Sequence, residues 1–185
     1  MDWPNIKWPA PPVLTPFALE SLGFGVPAPT GSASIGGATS STWSVNNKAY
    51  FYPFRLHEFA TAYQLLFWVG ATSSGNIDVG IYDSQLNLIV SAGSTAMSAT
   101  VNTVQEINIT DTVLPPGDYL LGVACSTTAG TCFNSGGGVD DILLSSYPVY
   151  EQTTALPLPD PAVPVLCTDS SPSRWVCGIQ FVPTF

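Results

Sequence analysis

Charge is what this 185-residue chain has least of. Asp, Glu, Lys and Arg together make up 9% of it, against a usual share of about 25%. Lys7, Lys48, Arg55 and Arg174 are the only basic residues apart from one histidine, and 13 acids bring the formal net charge to −9. Binding to a phosphate backbone takes clustered Lys and Arg. These four are scattered, so the chain is not expected to bind nucleic acid, and for the same reason an anionic membrane surface is not an expected partner. No apolar run approaches the ~20 residues of a membrane helix. The longest, residues 65–69, is strand-sized, so no membrane insertion is expected. The opening Met1-Asp2-Trp3-Pro4 has no basic start, apolar run or small-residue cleavage site of a signal peptide. Synthesis and assembly in a cytoplasm are therefore expected.

The residues that carry chemistry are equally thin. His57 is the only histidine. It sits beside Glu58 at a predicted strand end, where adjacent side chains point to opposite faces, and no G-x-S-x-G elbow supplies a nucleophile. Asp140-Asp141 is the only acidic doublet, and neighbours on a strand do not face one gap as glycosidase carboxylates must. Asp78, Asp83, Asp111 and Asp118 fall at predicted strand ends or turns, where Asp is expected to bind local backbone. The four cysteines lack C-x₂₋₄-C spacing and lie far from His57, which argues against a zinc site. No Gly-rich phosphate loop runs from a strand into a helix. The expectation is a protein that is not an enzyme and uses no cofactor or metal.

Proline and apolar bulk are what the chain has in place of charge. Residues 1–30 hold Trp3-Pro4, Trp8-Pro9, Pro11-Pro12, Pro16, Pro27 and Pro29, too much proline for a helix or a central strand. The same stretch carries Trp3, Trp8, Leu14, Phe17, Leu22 and Phe24, too many large apolar groups for a solvated linker. An extended arm with apolar anchors is expected to be received by another chain, Trp being enriched among residues that dominate interface energy. Residues 16–22 hold at most one helical turn, with Pro16 at its start and Gly23 past its end. Residues 31–47 read as a Gly/Ser/Thr spacer, flexible or loosely stranded.

From residue 48 to 185 the pattern is β throughout. Period-2 alternation and turn residues predict strands over 49–56, 63–69, 76–82, 86–91, 104–110, 118–125 and 175–182, with short ones near Phe133 and at 141–145. Pro53 demotes the first of these to an edge or bulged strand. Pro115-Pro116-Gly117 is a turn. Short strands at close intervals with almost no helical period predict an all-β, antiparallel β-sandwich of jelly-roll type carrying an extended Pro-rich arm. Residues 155–164 (ALPLPDPAVP) cannot donate into a ladder at four prolines. They are expected to cross a sheet face or to lie along a neighbouring subunit.

Cys125 and Cys132 flank a short loop, and so do Cys167 and Cys177. Each pair is placed to bridge the ends of its own turn outside a reducing cell; the alternative is four buried thiols. Trp43, Trp68, Tyr147, Tyr150 and Trp175 are candidates for stacking against a sugar ring, if exposed, or for core packing.

The strand Asn76-Ile77-Asp78-Val79-Gly80-Ile81-Tyr82-Asp83, the run Asn87–Ser91, and the turn Leu114-Pro115-Pro116-Gly117-Asp118-Tyr119 resemble the β-sandwich modules of bacteriophage virions, found in tail fibres and head-decoration proteins. The likeness covers residues 49–125. It implies a homo-oligomer, most often a homotrimer, made in the host cytoplasm and attached to capsid or tail proteins of the virion. The small size and the lack of a shaft favour head decoration over a short tail fibre. A host-surface glycan is the other partner to be expected.

Overall fold

The computed structural model describes residues 38–135, 149–167 and 174–182. Within them lie thirteen strands: β1 (Ala38–Thr42), β2 (Lys48–Leu56), β3 (Ala60–Val69), β4 (Asn76–Asp83), β5 (Leu88–Ser91), β6 (Thr95–Ala96), β7 (Thr103–Leu114), β8 (Gly117–Cys125), β9 (Thr131–Ser135), β10 (Tyr150–Gln152), β11 (Val165–Leu166), β12 (Arg174–Trp175) and β13 (Cys177–Val182). They form two antiparallel sheets. The first runs β1-β9-β3-β13, with β7 on β3 and β12 on β9; the second runs β11-β10-β2-β8-β4-β5, with β6 also on β4. The chain is an antiparallel β-sandwich.

Alternation explains which side chains meet between the sheets. Tyr50, Tyr52, Phe54 and Leu56 of β2, Ile77, Val79 and Ile81 of β4, and Tyr119, Leu121, Val123 and Cys125 of β8 all enter the main core. In β3 the inward set changes parity, from Ala60 and Ala62 to Leu65, Phe67 and Val69. At that point the pairing with β13 skips Tyr63, the adjacent Gln180 and Phe181 facing Gln64 and Ala62. One extra residue in a strand turns every later side chain to the other face, so Tyr63 is the bulge that re-aims the apolar run.

The other face of the second sheet is apolar too, because residues 153–164 lie over it. Ala155, Leu158 and Ala162 pack on Ala49, Phe51, Tyr82, Leu120 and Ala124 as a second cluster. The proline-rich segment thus crosses a sheet face of its own subunit, one of the two placements expected of it. Leu156–Pro157 and Asp160–Pro161 are cis.

Pro53 behaves as a strand-edge residue in a strand that is otherwise interior. It pairs with Leu120 of β8 on one side, while β10 on the other side reaches only Ala49, Tyr50 and Phe51. Its missing N–H therefore costs no ladder bond there. The turn before β8 is closed by Tyr119, whose hydroxyl donates to the Pro115 carbonyl at 2.6 Å.

Two expectations need correcting. The spacer reading of residues 31–47 fails in its second half. Ala38–Thr42 pairs with β9 along its whole length, and Trp43 is in the core, because a Ser/Thr run is a competent edge strand once a partner offers it a ladder. Asp78 is not a strand-end residue: it lies inside β4, fully buried. The predicted strand at 141–145, the helical turn at 16–22 and the doublet Asp140-Asp141 lie outside the described residues.

Candidate functional site

Among the described residues the buried charged side chains are Asp78 and Lys48, and each fastens one element to another. Asp78 Oδ2 accepts the Leu158 N–H at 2.9 Å. Burial pushes its carboxyl above the ordinary carboxylate range, against the opposing pull of its hydrogen bonds. Two further links fasten the strap: Tyr82 donates its hydroxyl proton to the Pro159 carbonyl at 2.8 Å, and Asp160 Oδ1 accepts the Leu88 N–H at 3.0 Å. Gly80 makes room beneath, since a Cβ there would stand 2.9 Å from Leu158 Cδ1.

A second polar group closes the β2–β10 edge. Lys48 Nζ lies 2.6 Å from Glu151 Oε2 and 5.1 Å from the Tyr50 ring centroid. Burial opposes both charges. It is the largest single influence on each, yet the bond to Glu151, Tyr50 and the glutamate's charge together raise the lysine, and the bonds to Lys48 and Cys167 with the lysine's charge together lower the glutamate. Beside this pair Trp43 and Trp175 stack at 4.4 Å, Tyr50 meets Trp43 edge-on at 5.5 Å, and Trp43 Nε1 donates to the Lys48 carbonyl at 3.0 Å. At the opposite end of β2, Arg55 holds Asp118 of β8 in a two-pronged pair, with Nη2 donating to Oδ2 at 2.7 Å.

The sugar-stacking expectation is corrected for four rings. Trp43, Trp68, Tyr150 and Trp175 are 1%, 5%, 7% and 2% exposed, so their faces are committed to packing within the subunit; Tyr147 lies outside the described residues. None of the four cysteines is in a disulfide. Cys125 and Cys132 meet side chain to side chain, whereas Cys167 turns to Glu151 and Cys177 is enclosed in the core. The arm residues Trp3, Trp8, Leu14, Phe17, Leu22 and Phe24 lie outside the described residues. His57 is exposed at the β2–β3 turn. Among the described residues no three His, Cys, Asp or Glu side chains gather so as to hold a metal ion.

One surface feature escaped the sequence reading. Thr61 pairs with Val113 of β7 on one side and with Val182 of β13 on the other. Since Ala60 and Ala62 point inward, the three share the outer face of the first sheet. Val113 and Val182 are 63% and 42% exposed, and Phe59, two positions before Thr61, is 63% exposed. Phe59, Thr61 and Val113 lie beyond the predicted strands 63–69 and 104–110, and only the register of the three strands places Val113 and Val182 on either side of Thr61.

The chain matches no protein-family model, no curated protein and no solved structure.

Proposed function

We propose that this protein is a non-enzymatic structural component of a larger particle, of the virion type that its strand-and-turn sequence resembles, and that it attaches by its N-terminal arm. One observation carries the reading: the described sandwich furnishes both its apolar layers from Trp43 onward. Burying the anchors Trp3, Trp8, Leu14, Phe17, Leu22 and Phe24 on neighbouring copies or on capsid or tail proteins is the use that suits them. Each 100 Å² of apolar surface so removed from water contributes about 2.5 kcal/mol, and the prolines lessen the ordering cost. The strap over the second sheet shows the same chemistry used in cis, a proline-rich run seating small and branched apolar groups on a sheet face. The low charge of the chain suits a surface covered by neighbours.

The test is deletion of residues 1–30. The truncated protein is expected to keep the sandwich's circular dichroism and cooperative unfolding, and to lose self-association in light scattering and attachment to purified particles in a pull-down. Truncated protein that still assembles and attaches sinks the anchor role.

A further inference from the structure

We propose that Cys125 and Cys132 form a reversible disulfide that staples the two sheets together at the loop 126–130. Cys125 ends β8 and pairs with Lys48 and Ile77 in the second sheet. Cys132 stands in β9 and pairs with Ser41 and Val69 in the first. Both thiols are fully buried in the layer between the sheets.

Face-to-face sheets sit about 10 Å apart, too far for a disulfide, whose Cα atoms must come within about 7 Å. Here, though, the chain passes from β8 of the second sheet to β9 of the first in one short loop pinned at both ends. The Ser126 N–H donates to the Asn76 carbonyl at 2.8 Å, and the Thr131 N–H donates to the Thr72 carbonyl at 2.8 Å. The Thr131 hydroxyl oxygen accepts the Thr72 N–H, also at 2.8 Å. Gly130 packs against Ser74 so closely that a Cβ there would stand 2.7 Å from its carbonyl oxygen. Residues 72–76 and the loop therefore hold the ends of β8 and β9 together, and the two thiols hydrogen-bond to each other.

The pair is also chemically unequal. The hydrogen bond from Cys132 draws the Cys125 thiol below its ordinary range despite burial, and the same contact together with burial drives Cys132 far up. Cys125 is thus the attacking sulfur. A small-molecule disulfide serves as oxidant. The Cys125 thiolate attacks one of its sulfurs, forming a mixed disulfide and expelling one thiolate. Cys132 then gives up its proton and attacks Cys125 Sγ, expelling the second thiolate. The protein loses two hydrogens and two electrons, and one small disulfide becomes two thiols. Access to the buried pair comes through local opening of the loop. Of the other two cysteines, Cys167 bonds Glu151, and Cys177 is paired in the ladder with Phe67 of β3 and enclosed. The chain would be stapled after leaving a reducing compartment, with no change of fold.

Folded full-length protein is incubated with oxidised glutathione, quenched with acid, alkylated, digested without reductant and mapped by mass spectrometry. The expected product is a single bridge from Cys125 to Cys132, with the thermal midpoint higher by about 5–10 °C and restored by reductant. Cys132→Ala is expected to stop at a glutathione adduct on Cys125. A variant with Cys167→Ser and Cys177→Ala, which retains only the pair, is expected to oxidise at the wild-type rate. A bridge that uses Cys167 or Cys177, or four alkylatable thiols after incubation, overturns the proposal.

Discussion

Asp78 in β4 accepts the backbone N–H of Leu158 at 2.9 Å, across 80 positions of sequence. Asp78 is fully buried, and the Leu158 it holds packs with Tyr82 in the second apolar cluster. It gives the strap a fixed register that apolar contact alone, being non-directional, does not supply.

Asp78→Asn is expected to hold or raise stability at neutral pH, because the amide oxygen still accepts the Leu158 N–H with no charge to desolvate. Asp78→Ala orphans that N–H and is expected to cost about 1–3 kcal/mol. The sign of the pH dependence follows from the raised carboxyl. The folded chain keeps a proton that the unfolded chain releases, so this group's contribution is full below the unfolded pKa and is lost as pH rises through the folded one. Denaturant unfolding of wild type minus Asp78→Asn should therefore favour wild type increasingly as pH falls from neutral towards 4. A flat difference would show that Asp78 ionises in the fold as it does in water.

How much of this was legible in the sequence depends on the range of the interaction. The main core was, since Ile77, Val79 and Ile81 alternate, and alternation is a property of adjacent residues. So was the Leu114–Tyr119 turn. The reach of Asp78 to Leu158 was not: both look like ordinary local elements, and their meeting depends on which face the strap takes. The Tyr63 bulge hid in a run of apolar residues that reads the same in either parity. Trp43 and Trp175 stayed open between core packing and sugar stacking because β1 and β12 are short strands whose partner is β9 alone.

Gly80→Ala tests the strap from below. The added Cβ would stand 2.9 Å from Leu158 Cδ1 and 3.0 Å from both Leu88 Cδ1 and Ser91 Cβ. Overpacking of this kind costs about 1–3 kcal/mol. The strap is the element free to yield, so limited proteolysis should cut first within 153–164 in the variant, with the main core unchanged. Equal protease resistance in the two proteins would show that the neighbours absorb the methyl group.

The stacked indoles should respond unequally. Trp43 Nε1 donates to the Lys48 carbonyl, whereas Trp175 Nε1 is buried with no hydrogen-bond partner among the described residues. Trp43→Phe removes packing and orphans a carbonyl; Trp175→Phe removes packing and an unsatisfied donor. Trp43→Phe is expected to be the more destabilising by about 1 kcal/mol, measured by urea unfolding. The reverse order would place Trp175 Nε1 in a bond with an ordered water.

The Lys48–Glu151 pair is held in a partly buried setting, so removing one partner should cost more than removing both. Glu151→Gln leaves the ammonium beside Tyr50 without its carboxylate, and stranding a fully buried charge costs about 3–5 kcal/mol; the partial exposure of Glu151 brings the expected loss nearer 1–2 kcal/mol. Lys48→Met together with Glu151→Gln should recover part of it. The glutamate's lowered pKa fixes the acid side. Its contribution is present above the unfolded carboxylate value and is lost as pH falls through the folded one. Wild type should therefore lose its advantage over the double variant in that acid window, and an advantage that survives there would assign the effect to packing instead of charge.

The outer-face strip separates folding from assembly. Phe59, Val113 and Val182 are exposed, so Phe59→Ser, Val113→Thr and Val182→Thr should each change stability by no more than about 0.5 kcal/mol. If the first sheet's outer face contributes to packing against neighbours in a particle, the triple variant should unfold at the wild-type denaturant midpoint yet form smaller assemblies in light scattering with the arm intact. Combined with deletion of residues 1–30 it should add little, because a chain without its arm is expected to be monomeric already. Wild-type assembly by the triple variant would confine the contact to the arm and leave the strip an ordinary piece of apolar surface.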